Sequence, residues 1–459
     1  MVLLGLKFVF ARVRRTRKQT SAMEVIVIVD PVSTGARMAE VASSRGFRVV
    51  SLWSKECTPQ IRGALAGIRD GYEAVEEQAS IAATVEAIQD QLRRTSSSAT
   101  VSACIPGMET GVKLADLISL HLGLLPHGSG NAAFAGGDRR NKHVQQKALE
   151  KSGLRAVREV CGSKWQDVKD FLGDLGLPMV VKPVQSGGTD GVKLCQSLEE
   201  AEEHFSHLNA TKRRVDSPDT AILCQEFLAG QEYAVDHVSR NGVHKTVMTW
   251  VYEKKALNGS TFVYLAARPL ETKECPPEMI SYTRAVLDAL QVRNGATHAE
   301  VKMTPDGPCL VEVNMRMMGA HGAFIPLARL LTGTSQVDAT LDSLSQERFD
   351  ALPDIPRAFG TSGVMVSLVS YSAGTVTSTP GYERMKKLAT FLELNSSISC
   401  GSAVAVTVDA FTISGHLLLA GSNDQIRADV AEVRRLEEEG LFCFADEAKC
   451  FSFGGGVAA

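Results

Sequence analysis

The stretch Gly295-Ala-Thr-His-Ala-Glu-Val-Lys-Met-Thr-Pro-Asp-Gly-Pro-Cys-Leu-Val-Glu-Val-Asn-Met-Arg316 constrains this chain most, because it reads as a β-hairpin carrying acidic groups where a sheet does not favour them. Two apolar strands flank the turn Thr304-Pro-Asp-Gly-Pro308. Alternation puts Ala299, Val301 and Met303 on one face, with Val311 and Val313 facing the same way on the partner strand. Leu310 falls out of that phase. The other face collects His298, Glu300 and Lys302 from one strand and Glu312, Asn314 and Arg316 from the other. A turn centred on Asp306 sets Glu300 directly across from Glu312. Two carboxylates ~5 Å apart repel by roughly 3 kcal/mol at an effective dielectric near 20, a cost that a bound divalent cation reverses. The pair reads as a metal site facing a cleft, with the apolar face packed on a core.

For an arbitrary hairpin, an edge with solvated Glu and Lys side chains is the plainer reading. Asn314 favours the metal. It adds a third oxygen to Glu300 and Glu312, the hard donor set of Mg2+, with Mn2+ as the alternative, and Mg2+ completes its shell with water and substrate phosphate.

At 459 residues the chain has room for two or three domains, and 44% hydrophobic with 22% charged residues is an ordinary globular composition. A net charge of -3 gives no basic footprint for nucleic acid. Ten cysteines without a C-x-x-C pair suggest neither a zinc ribbon nor a disulfide framework, so a reducing, cytoplasmic setting is expected. Residues 1–22 carry Lys7, Arg12, Arg14, Arg15, Arg17 and Lys18 with no acid before Glu24. That start suits an organelle transit peptide or a basic leader with no address, and its apolar run is too short to span a bilayer, so no membrane is expected.

Val25-Ile-Val-Ile-Val-Asp30 is a strand of parallel type, followed by a helix over Ala36–Arg45 and a second strand over Phe47–Leu52. This βαβ start lacks G-x-G-x-x-G, so dinucleotide binding is unsupported. Ser33-Thr34-Gly35 suits an anion or a helix cap. The alternation continues through Val101–Ile105 and Gly111–Leu122 to the Gly-rich connection Leu125–Asn131. Beyond Pro353–Pro356, strands are expected over Gly363–Ser370, Ala403–Val408 and Ile413–Ala420, then a helix over Gln425–Glu439, as a small closing α+β unit. The expected domains are 23–125, 126–350 and 351–459.

Lys182 ends the strand Pro178–Pro183 and precedes Gln185-Ser-Gly-Gly-Thr-Asp-Gly-Val192, whose glycines let backbone N–H groups approach a phosphate. A Gly-rich hairpin turn looks the same, and no Walker pattern follows. Gln225–Asp236 reads as strand, turn and strand, a connection that exposes backbone groups to an adenine edge and sets Glu232 to accept from ribose hydroxyls, or two strands with solvated acids.

The succession Lys142, Lys182 with its loop, Glu226-Phe-Leu228, Glu232, Glu300 and Glu312-x-Asn314-x-Arg316 resembles the ATP-grasp superfamily, over about residues 24–440. Within it the chain is similar to carboxylate-amine ligases that include bacterial L-amino acid ligases. The resemblance implies a multidomain ATP-grasp fold, α/β and α+β, with an N-terminal Rossmann-like βαβ domain and a small C-terminal α+β domain. It further implies that Lys142 and Lys182 contact ATP phosphates under a loop of Ser186, Gly187, Gly188, Thr189 and Gly191. Glu226, Phe227 and Leu228 would meet adenine, Glu232 the ribose, and Glu300, Glu312 and Asn314 the Mg2+. Arg316 would neutralise an acyl phosphate formed from ATP before an amine attacks it. The implied partners are a small-molecule carboxylate and amine, and a homodimer is compatible with the sequence. Alternatives are a carboxylase or purine-biosynthesis-type ligase on this fold and a non-catalytic ATP-binding regulator.

Two departures stand out: Met315 where Pro is frequent, and Met317-Met-Gly-Ala-His-Gly322 in place of a more Gly-rich run. The second falls where the acceptor substrate should bind. Met317 and Met318 suit a substrate pocket or core packing. His298 suits a substrate-orienting role or a strand hydrogen bond, while His321 and His127 suit a cleft or plain solvation.

Overall fold

β1 (Glu24–Val29) is buried through its last five residues because its side chains feed two cores. Ile26 and Ile28 pack with Met38, Ala39 and Ala42 on one side, while Val25, Val27 and Val29 pack with Val85, Ile88 and Ile118 on the other. That double burial is why the run is continuously apolar. In this computed structural model, which describes residues 23–64, 72–95, 99–185, 187–211 and 221–445, β1 joins β2 (Arg48–Trp53), β3 (Glu73–Glu76) and β4 (Thr100–Pro106) in a parallel sheet ordered β3-β2-β1-β4. The basic leader 1–22 and Ser186 lie outside the described residues.

A second layer holds β5 (Glu159–Gly162), β6 (Met179–Pro183), β7 (Lys193–Cys195) and β8 (Ile222–Glu226), ordered β5-β8-β6-β7. Its inner face packs on helices 165–175 and 198–210 through Leu172, Val181 and Phe205.

The largest element is an eight-stranded antiparallel sheet. It contains β9 (Gln231–Arg240), β10 (Val243–Leu257), β11 (Ser260–Leu270), β12 (Gly295–Thr304), β13 (Gly307–Asn314) and β14 (Ser362–Leu368). After β15 (Gly374–Ser378) come β16 (Phe391–Asn395), β17 (Ala403–Val404), β18 (Gly415–Gly421) and β19 (Cys443–Phe444). The order is β13-β12-β9-β10-β11-β14-β18-β16, with β17-β15-β19 as a small separate sheet. The segment after residue 350, expected to close the chain as its own unit, therefore gives three strands to the sheet that carries the hairpin. The join runs through Ala266↔Val366 and Ala267↔Met365.

Two expected strands are shorter than read. β17 stops at Val404, and β18 starts at Gly415, because Asp409 accepts from the amides of Phe411 and Thr412 and caps a 3-10 turn between them. Among the described residues no helix is long and apolar enough to cross a membrane.

The hairpin keeps the expected Glu300↔Glu312 pairing by a different route. The turn is tighter than one centred on Asp306, with Thr304 opposite Gly307, and an unpaired Val311 then shifts the register between Val301↔Leu310 and Glu300↔Glu312. The apolar phase is corrected accordingly. Leu310, not Val311, joins Ala299, Val301 and Val313 in the core, and Val311 turns to the cleft.

Candidate active site

The exposed face of the large sheet floors a cleft of about 1340 Å³, walled by the Gly-rich loop, the segment 226–228 and the ends of β1 and β4. That exceeds the 300–1,000 Å³ usual for one drug-sized ligand.

Glu300 and Glu312 lie side by side on this floor with different partners. His298 Nε2 is 3.6 Å from Glu300 and Lys142 Nζ is 2.8 Å from Glu312. Burial works against ionisation of Glu300, but His298, Lys254 and Arg316 hold it down at about 2. Burial opposes ionisation of Glu312 too, and Lys142 and Lys182 overcome it despite Glu300. Glu312 Oε1 accepts from Asn314 Nδ2 at 3.1 Å, and Asn314 Oδ1 accepts from Arg316 at 3.1 Å. Arg316 also donates to the Met317 carbonyl at 2.8 Å. Among the described residues no three His, Cys, Asp or Glu side chains converge as a metal cluster. The donor set is two ionised carboxylates and one amide oxygen, all hard oxygens, which suits Mg2+.

Both lysines are placed by strand and helix ends. Lys142 opens the helix Lys142–Lys151, capped by Asn141 Oδ1 accepting from Val144 N at 3.2 Å. Lys182 is buried near the end of β6, and burial with the Lys142 charge pulls its ammonium down to about 8. The loop between β6 and β7 keeps Gly188 and Thr189 at φ +66 and 66. A side chain at Gly188 would meet the Phe411 ring at 2.9 Å, and the Gly188 carbonyl accepts from Ala410 N at 3.2 Å. Thr189 Oγ1 donates to the Gly188 carbonyl at 2.6 Å. Gly187, Gly188 and Thr189 line the cleft, while Gly191 backs onto Leu208 and Pro183.

Glu226, Phe227 and Leu228 line the cleft at the end of β8, the strand that pairs with the Lys182 strand β6. The Glu226 carboxylate itself turns to Arg155 at 3.0 Å and Arg158 at 2.9 Å. Glu232 is buried against Lys254, with Lys302 at 3.8 Å.

His298 is not a free base. Nδ1 lies 2.7 Å from Asp236 and Nε2 3.0 Å from the Tyr252 hydroxyl. Burial lowers its basicity, but Asp236 and Glu300 outweigh it and raise the imidazolium to about 9. The same Nε2 faces Glu300 at 3.6 Å. His321 lines the cleft at φ 53, its N–H donating to Ser33 Oγ at 3.1 Å. His127 lies outside the cleft lining, and its carbonyl accepts from Arg240 at 2.6 Å. Met317 and Met318 pack in the core and border the cleft at once.

The Ser33–Thr34 corner does not form the expected side-chain cap. Thr34 Oγ1 donates to the carbonyls of Met318 at 2.6 Å and Gly319 at 2.8 Å. The hydroxyl ties the N-terminal unit to the loop after Arg316.

Sequence reasoning missed Tyr252, Lys254, Tyr264 and Glu109. Lys254 sits over the Tyr264 ring at 4.1 Å and bridges toward Glu232, on a strand whose alternation alone does not name its neighbours. Glu109 had one usable signal, its place just past the carboxyl end of β4, where open α/β sheets bind ligands.

Known proteins resemble this chain in sequence and in fold. Residues 175–323 match the family model described as an ATP-grasp domain. Dapdiamide A synthase of Enterobacter agglomerans is 29% identical over 426 residues, covering 91% of this chain and 96% of that protein. Alanine-anticapsin ligase of Bacillus subtilis (strain 168) is 23% identical over 332 residues, covering 65% of this chain and 69% of its own. The crystal structure of L-amino acid ligase from Bacillus licheniformis superposes with a TM-score of 0.71 at 17% identity, over 93% of this chain and 100% of that one. A sheet whose floor carries paired glutamates, two lysines beneath a Gly-rich loop and a matching family model lead to one conclusion: this chain carries an ATP-grasp domain and has the ATP-grasp fold.

Proposed function

We propose that this protein is an ATP-dependent carboxylate-amine ligase that forms an amide or peptide bond through an acyl phosphate, with an amino acid as substrate. The observation that carries the reading is the Glu300–Glu312 pair, with Lys142 and Lys182 on one side and Arg316 on the other. It is supported by the relatives' names, since dapdiamide A synthase and alanine-anticapsin ligase are similar along much of this chain.

In the first step a carboxylate oxygen attacks the γ-phosphorus of ATP and ADP leaves. Lys142 and Lys182 neutralise and orient phosphate oxygens, and the Gly187–Gly191 backbone covers them and excludes water. Glu300, Glu312 and Asn314 would hold Mg2+, whose charge when bound offsets that of the phosphates. His298, fixed between Asp236 and Tyr252, keeps Glu300 ionised and in place. In the second step the amine attacks the acyl carbon and phosphate leaves. Arg316 stabilises the negative charge on the acyl phosphate and the tetrahedral species. No cysteine or other protein nucleophile is needed. Adenine is expected against Phe227 and Leu228, and ribose near Glu232.

Purified protein incubated with ATP, Mg2+ and pooled amino acids should release ADP in an amino-acid-dependent way, with the product identified by mass spectrometry. If ATP binds but no amino acid or small carboxylate raises ADP above background, a nucleotide-binding regulator replaces the ligase.

A further inference from the structure

Glu109 has no part in the reaction as described, although it borders its reacting end. It begins a 3-10 turn, Glu109–Gly111, directly after β4. The chain leaves β1 toward β2 and β4 lies on the other side of β1, so the turn sits at the crevice where the sheet's winding reverses. The position is fixed by backbone. A Cβ on Gly35 would lie 2.6 Å from the Gly107 Cα, so the helix start and the loop touch without side chains between them. Arg140 Nη1 donates to the Glu109 carbonyl at 3.3 Å.

From there the side chain reaches Arg316. Oε2 lies 3.3 Å from Arg316 Nε as an ion pair, yet this oxygen is buried and has no hydrogen-bond partner. Arg316 directs its terminal N–H groups elsewhere, to the Met317 carbonyl and Asn314 Oδ1. A buried oxygen without a donor costs about 1–3 kcal/mol, more when it is charged. Oε2 stays closed in against Arg316, but the side chain as a whole is 29% accessible and lines the cleft, so the rest of the carboxylate can meet a ligand.

We propose that Glu109 receives the amine substrate: its carboxylate accepts a hydrogen bond from the ammonium group and takes the proton that the nitrogen must lose before attack. The freed lone pair forms the C–N bond to the acyl carbon, and the C–O bond to phosphorus breaks as phosphate leaves with that electron pair. The second nitrogen proton departs on the phosphate, and Glu109 returns its proton to solvent. Burial, with the Glu312 charge, pushes the Glu109 carboxyl upward against Arg316, Arg140 and Lys142, the direction a proton acceptor needs. Arg316 then touches both halves of the reaction, the acyl phosphate through its charge and the amine through Glu109.

This assignment rests on the ligase reading, and the test separates the two. Wild type and Glu109→Gln are compared with ATP, Mg2+ and pooled L-amino acids as carboxylates, using either an amino acid or hydroxylamine as nucleophile. Hydroxylamine is uncharged at neutral pH and needs no base. The expected result is hydroxamate formation within about threefold of wild type, while kcat/KM for amide formation falls by about 100-fold or more. Glu109→Asp should recover part of that loss. Amide formation within about threefold of wild type overturns the proposal, as does a parallel fall in hydroxamate, which would make Glu109 a support for Arg316 alone. Wild type that forms no hydroxamate with any carboxylate sinks the ligase reading, and this assignment with it.

Discussion

Replacing Glu312 with Ala should damage stability and activity by unequal amounts, and the difference can be worked out. Glu312 is 2.8 Å from Lys142, whose side chain is 7% accessible. At an effective dielectric near 20 that attraction is about 6 kcal/mol, against about 3 kcal/mol of repulsion from Glu300 at ~5 Å. The remainder, about 3 kcal/mol, is the expected destabilisation and falls at the lower end for breaking a buried ion pair. Glu312→Ala should therefore melt several degrees lower yet remain folded. The double variant Glu312→Ala with Lys142→Met removes both charges and should recover most of the melting temperature. Neither variant should recover ADP formation, which is expected to fall by about 1000-fold with the loss of a metal-holding carboxylate. Mg2+ at 100 times its Kd should stabilise wild type by about 2.7 kcal/mol and neither variant. Scanning calorimetry with and without Mg2+, beside an ADP-release assay, reads all of these. A single variant as stable as wild type would refute the charge arithmetic, and one retaining a large share of turnover would refute the metal assignment.

Other consequences follow from the same contacts. Lys182 is held at about 8, so its charge is lost as pH rises through that value, and kcat/KM for ATP should fall there. In Lys182→Arg the alkaline fall should vanish, and an unchanged profile would exclude Lys182 as its source. His237 is buried, bonded to the hydroxyls of Thr283 at 2.8 Å and Thr246 at 3.2 Å, and burial with Arg284 and His244 pulls it down to about 3. Because the unfolded chain takes the proton first, its contribution is complete above the ordinary value near 6.5 and is lost as pH falls toward 3. Denaturant titrations of His237→Gln should show a shallower acid loss than wild type, and equal slopes would sink the assignment. Thr34→Val removes the hydroxyl shared by the Met318 and Gly319 carbonyls, of which Gly319 keeps the Gly322 amide. It should raise KM for the amino acid substrates about 10-fold with little change in KM for ATP, and an effect confined to ATP would contradict the tie.

Local patterns were legible where one periodicity decided the outcome. The Val25–Val29 run announced a strand covered on both faces, and the 300–312 pairing followed from counting outward from the turn. Phase was harder. Leu310 looked misplaced against Val311 and Val313, and that misfit was the bulge itself, which alternation cannot represent. The destination of the last strands was not legible, because strands over 362–421 carry the same apolar signal whether they close their own sheet or extend another. Within the site, the glutamates and Arg316 came from the hairpin's alternation and Lys182 from its place before the Gly-rich loop, while Lys142 and the roles of all of them came from motif order. Glu109 and the Thr34 hydroxyl meet the loop around Arg316 only because two units pack together, and no spacing in the chain encodes that contact.

The unpaired Val311 decides which changes of length the hairpin can take. Leu310 and Glu312 already pair with consecutive residues of β12, so deleting Val311 would remove the bulge and still leave Leu310 in the core and Glu312 and Asn314 over the cleft. Insertions at Pro305–Asp306 lengthen only the turn and leave the paired strands in register. Length variation among functional homologues should therefore concentrate at the turn tip and at Val311, whereas a gap that removes Glu312 or Asn314 should mark chains that have abandoned the chemistry.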